Sequence, residues 1–386
     1  MENIMSTEYS QENDRSPGER ISPTKDWVNL GGGVNNQQLT LTAPIYSGGN
    51  IYAFAWDANN RLKVCTINSD GKGGKWKGID SNVQASPAAA VARDSGVLGV
   101  LCKTGATSIE INYVDPSNEF SNHKKSLTDN LTSKIYFSHQ VKLIRNANGS
   151  LEVFALDNGG NMWHTVETNN SKIPGEWGPW KTIGSGFNVG VSEFKVIPLN
   201  GGQGVGPFQV VAFGAESNPS VYQATQVSGS PGIYNAFSAV DDSSSLNFSG
   251  SPAAVWGAVA NNAIYAIYNS IGVGTANPLT TDVGKGWNSL SLTNDYPAAG
   301  DSIVLAATGD GITRLVWMDA GLQVHMLSRD SGKTDYWGGG DEPVGGSGQS
   351  FTGAISAVVN DFKVGLFQTD GYNNLWFINF LPTLGK

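Results

Sequence analysis

The 386 residues include 49 Gly and 16 Pro, 11 Trp and only 15% charged residues, which excludes a helical bundle and supplies enough apolar surface for a large core. The formal net charge is −9, and no basic run exceeds Lys124-Lys125, which excludes the basic stripe of a nucleic-acid binder. No apolar stretch approaches the roughly 18 residues of a membrane span, so membrane insertion is not expected.

Taken in chain order, residues 1–23 read as a polar, disordered tail, and residues 24–386 as one domain. The tail lacks an apolar h-region. The expectation is therefore a cytoplasmic protein, a non-classical export route, or a signal absent from this sequence. From Trp27 onward the chain repeats. The clearest unit is Trp-x-x-(Leu/Ile/Val), seen at Trp27–Leu30, Trp76–Ile79, Trp180–Ile183 and Trp287–Leu290, with Phe237–Val240 as a Phe version. Trp337 and Phe120 mark looser copies, and the anchors recur roughly every 50 residues.

Between anchors the order is constant. A small-residue apolar run, such as 86–91 or 251–255, precedes a strongly apolar strand. Seven such strands are present: 51–56, 97–102, 151–156, 208–213, 263–268, 313–318 and 363–368. Turns rich in Asp, Asn and Gly follow most of them, as at 57–60, 157–160, 319–321 and 370–371. A third strand comes next, and the anchor reads as the fourth. Four short antiparallel strands per repeat predict a propeller blade. The fold class expected is all-β, a seven-bladed β-propeller of four-stranded antiparallel blades. The last copy has no anchor of its own, while Trp27 precedes any other strand of its copy. The ring is therefore expected to close by an N-terminal strand around Trp27 completing the blade begun near Phe351. Cys65 and Cys102 lie in apolar runs and read as buried thiols.

The copy Ser150–Asp157, Asn161-Met-Trp163-His164 and Glu176-Trp177-Gly-Pro-Trp180-Lys-Thr-Ile-Gly184 resembles the PLL-type seven-bladed propeller lectins, with further matches at 26–33 and 321–325. That resemblance implies binding of fucose, galactose or O-methylated sugars in pockets between blades, with a possible homo-oligomer for avidity. Copies around 86–122, 189–240 and 250–290 lack the Trp-His pair. The phrases at 86–91 and 251–255 also resemble fungal six-bladed fucose lectins, whose blade count and Arg/Glu pattern fit less well.

A sugar site needs an aromatic face for the C–H side of the ring and planar polar groups for its hydroxyls. Three constellations offer both: Asp157, Asn161, Trp163, His164 and Trp177; His325 with Tyr336 and Trp337; and Asn374 with Trp376. His164 and His325 read as sharing one place on the third strand. Trp177 stands off the anchor repeat, and its role stays open between ligand and core. The function expected is multivalent, non-catalytic carbohydrate recognition, with glycans as partners, no cofactor and no metal. The four His are scattered without zinc spacing, and no Gly-x-Ser-x-Gly elbow occurs. A propeller glycoside hydrolase, which would need a carboxylate pair, and a protein-interaction scaffold are the alternatives.

Overall fold

The computed structural model describes residues 26–31, 44–56, 61–68, 73–80, 87–129, 131, 133–183, 191–199, 207–214, 221–240, 248–257, 262–270, 276–282, 288–289, 304–308, 312–319, 322–330, 338–345, 351, 355–360, 363–372 and 374–380. Within them the chain is all-β, arranged as seven antiparallel sheets. The proposed tail at 1–23, and with it Tyr336, Trp337 and Trp287, lies outside the described residues.

The first blade comprises Ile45–Ser47, Asn50–Trp56, Leu62–Asn68 and Gly73–Asp80. The second comprises Pro87–Ala92, Leu98–Lys103, Ile109–Asp115 and Ser121–Ser126. The third contains Phe137–Arg145, Leu151–Asp157 and Met162–Asn169, and its outer edge is split into Glu176–Trp177 and Lys181–Thr182. Gly178 and Pro179 cause that split, since proline has no N–H for the ladder. The fourth blade runs Val191–Pro198, Phe208–Gly214, Val221–Thr225 and Ser238–Ala239. The fifth runs Phe248–Gly257, Asn262–Ser270, Ala276–Asp282 and Asn288–Ser289. The sixth runs Val304–Ala307, Ile312–Met318, Val324–Asp330 and Gly338–Pro343. The seventh holds Ser356–Asn360, Lys363–Thr369 and Leu375–Phe380, and takes its outer strand, Val28–Gly31, from the N-terminal side. The first strands of successive blades neighbour one another in a closed circuit, with the seventh returning to the first.

The ring closes as the sequence predicts. Val28 pairs with Phe377 and Asn29 with Trp376, antiparallel. Closure covers the outer edge of Leu375–Phe380 and gives the seventh blade four strands like its neighbours.

Each strand is sandwiched between two neighbouring blades, so alternate residues enter different cores. In Leu151–Asp157, Val153 and Ala155 join the second blade's core, while Phe154 and Leu156 join the fourth blade's. This double burial explains why the second strands read as continuous apolar runs. Cys65 and Cys102 are free and buried in different junctions, and burial pushes the Cys65 thiol up to about 12.

Trp27, Trp76 and Trp180 are inter-blade spacers, and two of them also act as latches. Trp180 donates its indole N–H to Leu127 O of the second blade at 2.7 Å. Trp27 does the same to Val344 O of the sixth at 3.0 Å. Leu127 and Val344 each follow the outer strand of the preceding blade, so the two bonds are one device used twice. Trp76 packs in the same way on the core shared by the first and seventh blades.

The register corrects two anchor assignments. The backbone N–H groups of Ile183, Leu127 and Val344 make the same bond to the start of their third strands. The residue three positions earlier is Trp180 in the third blade, but Lys124 in the second and Asp341 in the sixth. Phe120 and Trp337 therefore stand four residues upstream of the anchor position. Phe120, at φ 62°, still reaches the first blade, meeting the Tyr52 ring edge-on at 6.3 Å.

Candidate functional site

Most of the described candidate residues belong to the third blade, and strand alternation divides them. Along Met162–Asn169, Trp163 and Glu167 face the second blade, whereas His164 faces the fourth. The sequence constellation is therefore not one site. Trp177 pairs opposite Glu167, at the far end of the strand from Trp163.

At the near end, Asp157, Asn161 and Trp163 do come together. The Asp157 carboxylate accepts the backbone N–H groups of Gly159 and Asn161, the Asn161 amide, and the Trp163 indole N–H at 2.8 Å. Asp370 repeats this with Tyr372, Asn374 and Trp376, the indole bond being 2.9 Å. Asp319 does so with Gln323 and His325, its ring nitrogen Nε2 lying 2.8 Å away. The unit is Asp, a polar residue four on, and an aromatic N–H six on. It closes the turn and fixes the aromatic ring.

The shared place assigned to the two histidines is thus corrected. His325 corresponds to Trp163 and Trp376, and His164 is one residue out of register, which in a strand means the opposite face. Both rings are buried, at 4% exposure, and neither is open for stacking on a sugar. Trp163, Trp177 and Trp376 are half-buried, with their N–H groups pinned.

Burial works to raise the Asp157 carboxyl, but the bonds from Trp163 and Asn161 outweigh it and hold the group below the usual carboxylate range. The stability it contributes is present above the unfolded-state pKa and is lost as pH falls through the lower folded value. Asp157→Asn should therefore narrow its stability gap to wild type below about pH 4, near the ordinary aspartate pKa. A gap unchanged during acid titration would refute this role for the carboxylate.

Two polar clusters, both missed in the sequence, lie at equivalent places in adjoining junctions. Between the second and third blades, Tyr113 donates to Glu167 Oε1 at 2.9 Å and accepts the Trp177 indole N–H at 3.0 Å. Arg93 lies 3.5 Å from the same carboxylate, stands over the Tyr113 ring, and donates to Asn170 O and Lys172 O. Gly175 passes directly over this group; a Cβ there would run into the Glu167 carboxylate and stand 2.8 Å from Tyr113 Oη. Burial raises the Glu167 carboxyl despite the opposing Arg93 charge, and it also raises the Tyr113 hydroxyl, with the Glu167 charge adding to the effect.

Between the third and fourth blades, Glu152 is fully buried. It is bonded by His164 Nδ1 at 2.8 Å, Tyr234 Oη at 3.1 Å, Asn146 Nδ2 at 3.2 Å and Gln226 Nε2 at 3.3 Å. Arg93 and Asn146 open the same turn, each bonded to the glycine three residues on. The loops above the two clusters carry exposed aliphatic residues, Ile173 and Ile233. The one available signal for these clusters was a carboxylate inside an apolar strand, Glu152 in LEVFALD and Glu167 in MWHTVETN.

No protein-family model matches the sequence, and no curated protein matches it. Several solved structures are similar. The BP39L lectin from Burkholderia pseudomallei is 14% identical, with 90% of this chain and 98% of that one covered and a TM-score of 0.61. A polysaccharide lyase, an ulvan lyase bound to -[GlcA(1-4)Rha3S]-, is 11% identical over 94% of each chain, with a TM-score of 0.55. The β-propeller domain of the Trilobed protease from Pyrococcus furiosus is 10% identical, covering 89% and 96%, with a TM-score of 0.52. At these identities the likeness shows the fold alone. The chain is a β-propeller.

Proposed function

We propose that this propeller is a non-catalytic carbohydrate-binding protein that takes fucose- or galactose-type or O-methylated glycans at several blade junctions. The observation carrying this reading is Trp177. Its ring is half-buried against the core of the second and third blades, its N–H is fixed on Tyr113, and it pairs across the blade edge with Glu167. A ring held in one orientation offers the C–H face of a sugar a platform at little entropic cost. Trp163 with Asn161, and Trp376 with Asn374, supply further platforms of the same kind at the other end of the blades. Weak single sites on one ring gain avidity through effective concentration. The lectin among the similar structures is in keeping with this reading.

The test is a broad glycan array that includes fucosylated, galactosylated and O-methylated sugars, followed by titration of the best ligand. Trp177→Ala should weaken that ligand by about tenfold or more, the scale of one stacking contact. Absence of binding across the array, together with cleavage of a uronate-containing polysaccharide, would replace the lectin reading with an enzymatic one.

A further inference from the structure

Two of the three described tryptophan anchors latch neighbouring blades, and the third does not. Trp27 and Trp180 each donate the indole N–H to the carbonyl that follows the preceding blade's outer strand, Val344 O and Leu127 O. For the first blade the anchor is Trp76, and the preceding blade is the seventh, whose outer strand is Val28–Gly31. The spacing Trp27-x-x-Leu30 matches Trp180-x-x-Ile183, so Leu30 holds the place of Val344, and Gly31 that of Gly345. Both glycines are left-handed, at φ +69° and +81°. At Gly345 the Trp27 indole fills the space of a Cβ, whereas a Cβ on Gly31 would meet nothing within 4 Å. Trp76 therefore stops short of the place that Trp27 reaches. Its Nε1 is buried and has no hydrogen-bond partner among the described residues. A donor that gives up water without gaining an acceptor penalises the closed junction. The elements that meet there are short: the closing strand has four residues, and the first blade's inner strand, Ile45–Ser47, has three. Gly74, which has no side chain, abuts Leu30. On the other side of the first blade the anchor position holds Lys124, but Phe120 braces that junction, edge-on to Tyr52 and with Lys77 Nζ over its ring at 5.2 Å.

We propose that the ring opens at the junction of the seventh and first blades, where Val28–Gly31 and Trp76 part while the first and second blades stay packed. This is a conformational device of the closure itself and does not depend on the sugar reading. Two native thiols report on it. Cys65 pairs directly opposite Trp76 and is buried in the core shared by the first and seventh blades, with Leu30, Phe367 and Leu375. Cys102 is buried in the core shared by the first and second blades. Opening uncovers Cys65 and leaves Cys102 covered, whereas global unfolding uncovers both.

The test is labelling of the native full chain with N-ethylmaleimide, at increasing urea below the unfolding transition, with mass spectrometry of the two cysteine peptides. Cys65 should react about tenfold faster than Cys102 or more, and with a shallower urea dependence, because partial opening exposes less surface than unfolding. Two variants test the cause. Trp27→Phe removes a bond that is made, loosens the closing strand and should speed Cys65 labelling about fivefold, the scale of one hydrogen bond. Trp76→Phe removes a donor that has no acceptor and should change the rate by less than about twofold. Equal rates and urea slopes for the two thiols, or faster labelling of Cys102, would overturn the proposal on the unaltered protein alone, so it stays testable if a variant misfolds. Acceleration by Trp76→Phe as strong as that by Trp27→Phe would show that Trp76 is latched, and that an unmade bond is not what weakens this junction.

Discussion

Trp27→Ala should be among the most destabilising single substitutions in this chain, costing about 3–5 kcal/mol by loss of a buried aromatic ring. Trp27 is only 6% exposed, and its ring centroid lies 4.7 Å from that of Phe351 in a core shared by the sixth and seventh blades. Its N–H is the latch to Val344 O, and Gly345, at φ +81°, has no Cβ because the indole occupies that space. Truncation therefore opens a cavity, strips a buried carbonyl of its partner and loosens the strand Val28–Gly31 that closes the ring. The consequence reaches past local packing, since releasing that strand bares the edge of Leu375–Phe380. Denaturant unfolding should show the stability loss, and limited proteolysis should show faster cleavage near residue 31. Trp27→Phe keeps most of the ring and loses the latch, so it should cost less, with the missing bond contributing about 1 kcal/mol. An Ala variant within about 0.5 kcal/mol of wild type, the scale of an ordinary surface change, would show that closure does not rest on this residue.

The ring and its closure were legible because they rest on period and on counting. Double burial makes each second strand an uninterrupted apolar run, and the Asp, Asn and Gly turns separate the runs. The unpaired first anchor and the missing last one require each other. The site was less legible for a physical reason. Local spacing correctly placed Asp157, Asn161 and Trp163 together, because a turn brings residues four and six positions apart within hydrogen-bond reach. It failed for His164, because one residue of register changes the face, and motif similarity does not measure register to one residue. The junction clusters were out of reach because their members come from different blades. Arg93 meets Glu167 and Glu152 meets Tyr234 across more than a full repeat. Asp157, Asp319 and Asp370 close the turns in which the sequence placed them, whereas the two glutamates lie inside strands, where no turn marks them.

Arg93→Ala should cost about 3–5 kcal/mol at neutral pH, as expected when one partner of a buried ion pair is removed. Arg93 is 6% exposed and Glu167 2% exposed, so water cannot replace the lost guanidinium without opening the junction. The pair is worth less than that cost suggests, because burial already raises the Glu167 carboxyl with Arg93 in place. Most of the penalty comes from a stranded carboxylate, which gives a signature in pH. A carboxyl whose folded pKa is raised binds more protons in the folded chain, so stability falls as pH rises from the unfolded value through the folded one. Removing Arg93 raises Glu167 further, so the defect should be largest at neutral pH and should shrink toward about pH 4, near the ordinary glutamate pKa. Glu167→Gln in the Arg93→Ala background removes the charge, keeps an acceptor for Tyr113, and should recover part of the loss. A double-mutant cycle with these variants isolates the coupling. Arg93→Ala also frees Asn170 O and Lys172 O, through which the guanidinium holds the loop that leads into Trp177. Glycan affinity at that junction should therefore fall in Arg93→Ala even at a pH where the fold is fully populated. A defect independent of pH and not relieved by Glu167→Gln would mean that Arg93 acts through the loop carbonyls alone. The junction would then be a loop anchor, with Glu167 no more than a bystander.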